Sequence, residues 1–372
     1  MSEANLGPAP EQPVQSALRR FWRAISLPFV AVLLALAISA VILLLSGSNP
    51  IVAYLALFRG AFGSLAAIGR TLEKATPLVF TGLAVAFAFK AGLFNIGAQG
   101  QLLLGALTAA VIGFSIEGLP PLLHITLALI GGAIVGGLYG AIPGALKVYT
   151  GAHEVITTIM LNQIAINITD YLADGPLKDT ANSNIVARTP LIHESAEIPI
   201  ISNIPMGFFF AILVAFVIWW VLRRTVLGFE IRTVGLNPNA ARYAGIRVAR
   251  TVIIAMIISG ALAGLGGAVE TLGITHRYQP AFNIGLGFDG ITVALLGKTS
   301  PLGVIPAAVL IGALKAGSNQ MQVIANVPKE ITDVIQALIL FFVAADSITR
   351  WILRSRAQDD EKITLTTGWG KQ

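Results

Sequence analysis

An all-α, polytopic membrane protein is the fold class this sequence predicts, and three observations carry the prediction. Several apolar runs reach about 18 residues or more, the length at which a helix can cross the hydrocarbon core of a bilayer. Hydrophobic residues make up 55% of the 372 residues and charged residues only 12%, where soluble domains run near about a quarter charged. The mean hydropathy of +0.78 agrees. Alternating ten-residue segments, the mark of a membrane barrel, are absent.

Ten spans follow, with boundaries near 27–46, 72–90, 96–114, 122–146, 154–173, 206–222, 251–272, 286–296, 303–322 and 331–353. Arg19, Arg20 and Arg23 precede the first span and place the N-terminus in the cytoplasm, because arginine resists translocation. Residues 51–70 are apolar but carry Arg59 centrally, at a cost of about 2.5–3.5 kcal/mol in a span. They are expected to form an interfacial or periplasmic helix. Leaving them out puts Lys90, Lys147, Lys298 and Arg350 inside and makes both termini cytoplasmic. The expected organisation is a cytoplasmic segment over 1–26, a transmembrane bundle over 27–353, and a polar cytoplasmic tail over 354–372. Residues 1–17 are rich in Pro, Gln, Glu and Ala and read as disordered. The net charge of +6 resides in loops flanking the spans, so it points to a lipid bilayer as partner and not to nucleic acid.

The cytoplasmic stretch 223–250 carries six arginines against Glu230. Inside it Asn237 can cap a short helix, Pro238 suits the first helical position, and Gly245 suits the left-handed residue after the end. Such a helix is either a surface touched from the cytoplasm or part of a solvated loop whose arginines fix topology and bind anionic lipid.

Glycines repeat every four residues at Gly132, Gly136, Gly140 and Gly144, and at Gly260 and Gly264. Both faces predict close helix packing. The stretch Gly285–Gly290 matches a dinucleotide fingerprint in letters only, since no strand precedes it. Gly297-Lys298-Thr299 lacks the glycine a phosphate loop needs at Thr292. With no cysteine and four scattered histidines, neither disulfides nor a metal site are expected.

Polar residues at membrane depth remain. Asn95, Gln99 and Gln101 interrupt two apolar runs, and Glu154, Thr158 and Asn162 share one helical face. Gln163, Asn167 and Asp170 form a second stripe; Lys315, Asn319 and Gln322 form a third. The short span 286–296 is bracketed by glycines and by Asp289, a usual pointer to a translocation path. The expected path residues are therefore Asn95, Gln99, Gln101, Glu154, Thr158, Asn162 and Asp289. Phe282-Asn283-Ile284-Gly285 repeats Phe94-Asn95-Ile96-Gly97. This fits inverted repeats of spans two to five and seven to ten, with the two copies near opposite faces.

The segments FNIGAQGQLLLGA, GAHEVITTIMLNQIA, VGLNPNAARYAGI and GFDGITVALLGKTSPLGVIPAA resemble the permease subunits of ATP-binding cassette importers. The likeness covers about 27–350 and falls in the simple-sugar branch, nearest its nucleoside-type members. It implies a second permease subunit (a paralogue or a second copy), an ATPase subunit that holds ATP and magnesium, and an external substrate-binding lipoprotein. It also implies that this chain binds no cofactor and is a transport subunit of the plasma membrane, not an enzyme. By the same likeness, Gly235, Asn237, Pro238, Ala240, Ala241, Arg242, Tyr243 and Gly245 belong to a helix that couples to the ATPase. From the residues alone an ion-driven transporter using Asp289, Asp170, Lys315 and Glu154, or a membrane scaffold, stays open.

Overall fold

The computed structural model describes residues 13–180, 186–281, 285–328 and 330–344. The tail 354–372, the end of the last span and Phe282–Ile284 of the second repeat copy lie outside the described residues. The helices are α1 (Pro13–Leu45), α2 (Pro50–Phe62), α3 (Leu65–Lys90), α4 (Ala98–Ser115), α5 (Pro121–Thr150), α6 (Glu154–Asp174), α7 (Met206–Arg224), α8 (Val226–Leu236), α9 (Pro238–Tyr243), α10 (Val248–Glu270), α11 (Leu286–Leu296), α12 (Pro301–Ala325) and α13 (Glu330–Ala344). A π-helical turn, Thr271–Thr275, prolongs α10. Among the described residues six helices are long and apolar enough to cross a membrane: α3, α4, α5, α7, α10 with its π turn, and α12. The other expected spans appear as α1, α6, α11 and α13; α6 has the length, but its polar stripes lower its hydropathy.

Two local expectations change. Helix α1 starts at Pro13, inside the stretch read as disordered, and proline is at home in a first turn. Residues 51–70 are two helices. Helix α2 ends at Phe62, and Ser64 caps α3 by accepting from the Ala67 N–H at 3.1 Å. At 13 residues, α2 is about 20 Å long and too short to cross a bilayer. The loop after α6 also carries a hairpin, β1 (Ile200–Ile201) with β2 (Ile204–Pro205), turned through Ser202 and Asn203 at positive φ.

Helices α3 and α10 form the centre. Every residue of α3 from Ala75 to Phe89 is buried, which is what a helix apolar on all sides predicts. Helix α10 packs on α5 and α4, and α3 packs on α12 and α11. The two centres also touch each other; α4 meets α6 as α11 meets α13. Exchanging α3–α6 for α10–α13 reproduces these pairings, as two related halves require. The ends match too: Pro121 and Pro301 open α5 and α12, and left-handed Gly151 and Asn326 close them.

The glycine faces meet as their spacing predicted. A Cβ added to Gly264 would sit 2.3 Å from the Gly132 carbonyl oxygen and 3.0 Å from the Gly136 Cα. The α5 and α10 backbones therefore touch, with no side chain between them.

Candidate functional site

The polar residues first gather where two helices begin inside the bundle. After Lys90 the chain returns to the level of Ala84, which Asn95 reaches through Ser259, before α4 starts, and α11 starts beside that point. Backbone without helix at such depth must find its hydrogen bonds within the protein. Gln99 supplies them for α11: its Oε1 accepts from Gly285 N–H at 3.2 Å and Gly287 N–H at 2.8 Å. A Cβ on Gly287 would lie 2.3 Å from the Gln99 Cα, so the two helix starts are in backbone contact. This corrects the expectation that the repeat copies sit near opposite faces. Gly97 and Gly285, the closing glycines of the copies, each precede a helix start, and the two starts meet. Counting whole crossings could not reveal it, because the chain before α4 turns back into the bundle.

Asn95 and Gln101 exchange amide hydrogen bonds at 2.8 and 3.3 Å. Asn95 also donates to Ser259 Oγ on α10 at 2.8 Å, and Ser259 donates on to the Ala84 carbonyl of α3 at 2.6 Å. Asn162 on α6 accepts from Gly100 N–H and donates to the Ile96 carbonyl, both at 2.8 Å. Asn95, Gln99, Gln101 and Asn162 are all buried. They staple α3, α4, α6, α10 and α11 together around the two starts. Ser259 escaped sequence reading because one hydroxyl in an apolar run looks like ordinary helix packing.

Asp289 stands apart from that network. In the first turn of α11, where the helix dipole favours an anion, it pairs with Lys315 of α12 at 2.8 Å and accepts from the Gln336 amide of α13. Glu154 pairs with Lys147 across the α5–α6 turn, and Thr158 Oγ1 donates to the Glu154 carbonyl at 2.7 Å. Of the three carboxylates offered for an ion-driven cycle, Asp289 and Glu154 are each paired with a lysine, on different helix pairs, and Asp170 lines a recess at the far end of α6.

Helix α6 has a second polar side. Glu154, Thr158, Asn162, Ala165 and Thr169 face inward and are buried. Gln163 and Asn167, about half a turn away, are exposed, and Gln163 donates to Asn167 Oδ1 at 3.3 Å. The stripe runs up to a recess of about 470 Å³ lined by Asp170, Tyr171, Asp174, Ala187 and Pro280.

On the opposite end, Asn237 Oδ1 accepts from Asn239 and Ala240 N–H at 3.0 Å each, Pro238 opens α9, and Gly245 is left-handed at φ +80°. Helix α8 was not anticipated: its exposed Val226, Phe229 and Leu236 resemble loop residues until the 3.6-residue period is laid over them. Gly235 lets this arm approach the end of α3, where a Cβ would come 2.2 Å from the Lys90 carbonyl oxygen. Ala241, named above among the coupling residues, is fully buried against the bundle and is not on the outward face of α9. Every third or fourth residue of a helix shares a face, and here that face seats α9. The outward residues are Asn239, Ala240, Arg242, Tyr243 and Ala244, with Tyr243 94% exposed.

The family model for the permease component of branched-chain amino acid transport systems matches residues 67–344. The chain is 43% identical over 337 residues to the guanosine ABC transporter permease protein NupP of Bacillus subtilis (strain 168), covering 88% of this chain and 94% of that protein. It is 38% identical over 341 residues to the nucleoside ABC transporter permease protein NupB of Lactococcus lactis subsp. cremoris (strain MG1363), covering 89% and 93%. It is 33% identical over 333 residues to the glucose ABC transporter permease protein TsgB13 of Haloferax volcanii, covering 87% of each.

Proposed function

The chain belongs to the permease-component family that matches residues 67–344, and from that premise we propose that it moves a nucleoside across the bacterial plasma membrane as one permease subunit of an ATP-binding cassette importer. The observation that carries the nucleoside is the 43% identity to a guanosine permease across 88% of the chain, ahead of the 33% to a glucose permease. The chain is a transport subunit and not an enzyme. ATP and magnesium sit on the partner ATPase, a paralogous permease or a second copy completes the pair, and an external lipoprotein delivers the substrate. Ten spans with both termini in the cytoplasm follow from the arginine distribution.

Two features of the geometry support the mechanism. Helix α9 is self-capped and presents Arg242 and Tyr243 outward, so an ATPase surface can bear on it. It links α7 and α10 through α8, so a displacement of α9 passes to the central helix α10 as rigid-body movement. There the staple of Asn95, Gln101 and Ser259 ties α10 to the start of α4, and Gln99 ties that start to α11. Along the translocation path Asn95, Gln99, Gln101 and Asn162 then act as the hinge, holding the starts of α4 and α11 in one arrangement until the ATPase drives the other. Glu154, Thr158 and Asp289, also on that path, brace the flanking helices α5, α6, α12 and α13.

Uptake of radiolabelled guanosine tests this in cells that lack their own nucleoside uptake and express the chain with its ATPase, second permease and lipoprotein. Uptake is expected to require a hydrolysis-competent ATPase and to survive collapse of the proton gradient while ATP is maintained. Uptake that persists with an inactive ATPase and follows the proton gradient would establish the ion-driven alternative.

A further inference from the structure

Gln163 and Asn167 pose a question that the buried network does not answer. They stand near the middle of a 21-residue helix whose other exposed residues include Ile156, Ile159, Met160, Ile164 and Ile168. An amide turned toward lipid at that depth is costly, and polar groups inside membranes face a bundle interior or a wet cavity. Nothing else in the described part of this subunit covers them, so what covers them is wet or lies outside the subunit.

Their chemistry says more. The hydrogen bond between them uses one Gln163 N–H and the Asn167 carbonyl oxygen. This leaves the Gln163 carbonyl oxygen as acceptor and the Asn167 amide as donor, side by side. A nucleobase edge presents the matching donor and acceptor. One turn outward, Tyr171 is 72% exposed and offers an aromatic face for stacking. Beside it Asp170 and Asp174 line the recess of about 470 Å³ and can accept from ribose hydroxyls. That volume lies within the range of small-molecule sites, about 300–1,000 Å³. The amide pair and the recess are continuous along one side of α6, at spacings of three, four and seven residues.

Building on the nucleoside reading above, we propose that this outward stripe of α6 is the substrate-facing wall of the subunit, with Gln163 and Asn167 taking the nucleobase edge and Tyr171 its face. The inward stripe of the same helix holds the bundle together; the outward one touches what is moved.

The complete transporter permits a direct test, because the chain has no native cysteine. Asn167→Cys and Leu213→Cys, the second at an exposed apolar position of α7, are labelled with a charged, water-soluble maleimide, with and without saturating guanosine. The cysteine at 167 is expected to react and to be protected by guanosine, and the one at 213, on another helix, to stay unreactive. Asn167→Leu is expected to raise the KM for guanosine uptake about tenfold, the loss of roughly one substrate hydrogen bond, while the ATPase still co-purifies. If position 167 stays sealed from the reagent, or reacts equally with guanosine present, the stripe is a permease–permease seam or an idle wet surface and the inference is wrong. Parent guanosine uptake, measured alongside, separates the two levels. A parent that transports while position 167 is sealed or unprotected keeps the nucleoside function and removes only this wall.

Discussion

Asn95 and Asn237 do related work in two different surroundings. Asn95 is fully buried and bonds to side chains contributed by α4 and α10. Asn237 is exposed and bonds only to backbone N–H groups two and three residues ahead. Around Asn95 the polar groups satisfy one another: Gln101, Ser259 and the Ala84 carbonyl close a chain of hydrogen bonds across three helices. Around Asn237 the cap is complete, yet Arg242 and Tyr243 project into solvent. The first region spends its polarity on shape, since an unmet amide in an apolar bundle costs about 1–3 kcal/mol. The second keeps its polarity outward, where it is available to a partner.

If that contrast is right, damage to the buried polar groups should appear as lost stability or lost uptake with the ATPase still bound, and damage on α9 as lost partnership. The largest stability effect is expected at the ion pair. Asp289→Leu leaves Lys315 and Gln336 facing an apolar side chain, and breaking a buried pair from one side costs about 3–5 kcal/mol. The partial exposure of Lys315, 27%, brings the expectation to about 3 kcal/mol. Thermal unfolding of the purified complex in detergent should show a large fall in Tm, and Asp289→Leu combined with Lys315→Met should recover most of it. A single variant as stable as the parent would make the pair a surface contact.

Asn95→Leu is expected to cost less, about 1–2 kcal/mol, because interhelical hydrogen bonds in membranes are individually modest. Its signature should be functional. The start of α4 loses its tie to α10, so guanosine uptake should fall strongly while the protein still inserts and its Tm drops only moderately. Normal uptake from this variant would reduce the staple to packing.

The positions of these residues were legible in the sequence to different degrees. Apolar runs locate spans because lipid demands length and hydrophobicity; among the described residues a helix stands at each expected span, and six are long and apolar enough to cross. The glycine faces were legible because a four-residue repeat has one geometric meaning, and Gly132 and Gly136 do meet Gly264. The meeting of the α4 and α11 starts was hidden, since it depends on chain that turns back between helices, which hydropathy averages away. The two sides of α6 were visible as stripes, but period alone does not say which stripe meets the bundle. Asn162 turned inward and Gln163 outward. Ala241 was misplaced for the same reason: an alanine suits both a docking face and a buried seat.

That misplacement settles how helix α9 is best tested. Ala241→Glu would force a carboxylate into the bundle and damage the subunit itself. Tyr243→Ala and Arg242→Glu alter only exposed atoms and should change stability by no more than about 0.5 kcal/mol. The decisive measurement is co-purification of the ATPase with the Tyr243→Ala, Arg242→Glu double variant, together with nucleoside-stimulated ATP hydrolysis by the complex. The expected result is a permease of parental Tm that has lost the ATPase or its stimulation. A variant that retains the ATPase and couples hydrolysis to guanosine uptake as the parent does would contradict the docking role of α9 and leave 223–250 as a topology anchor.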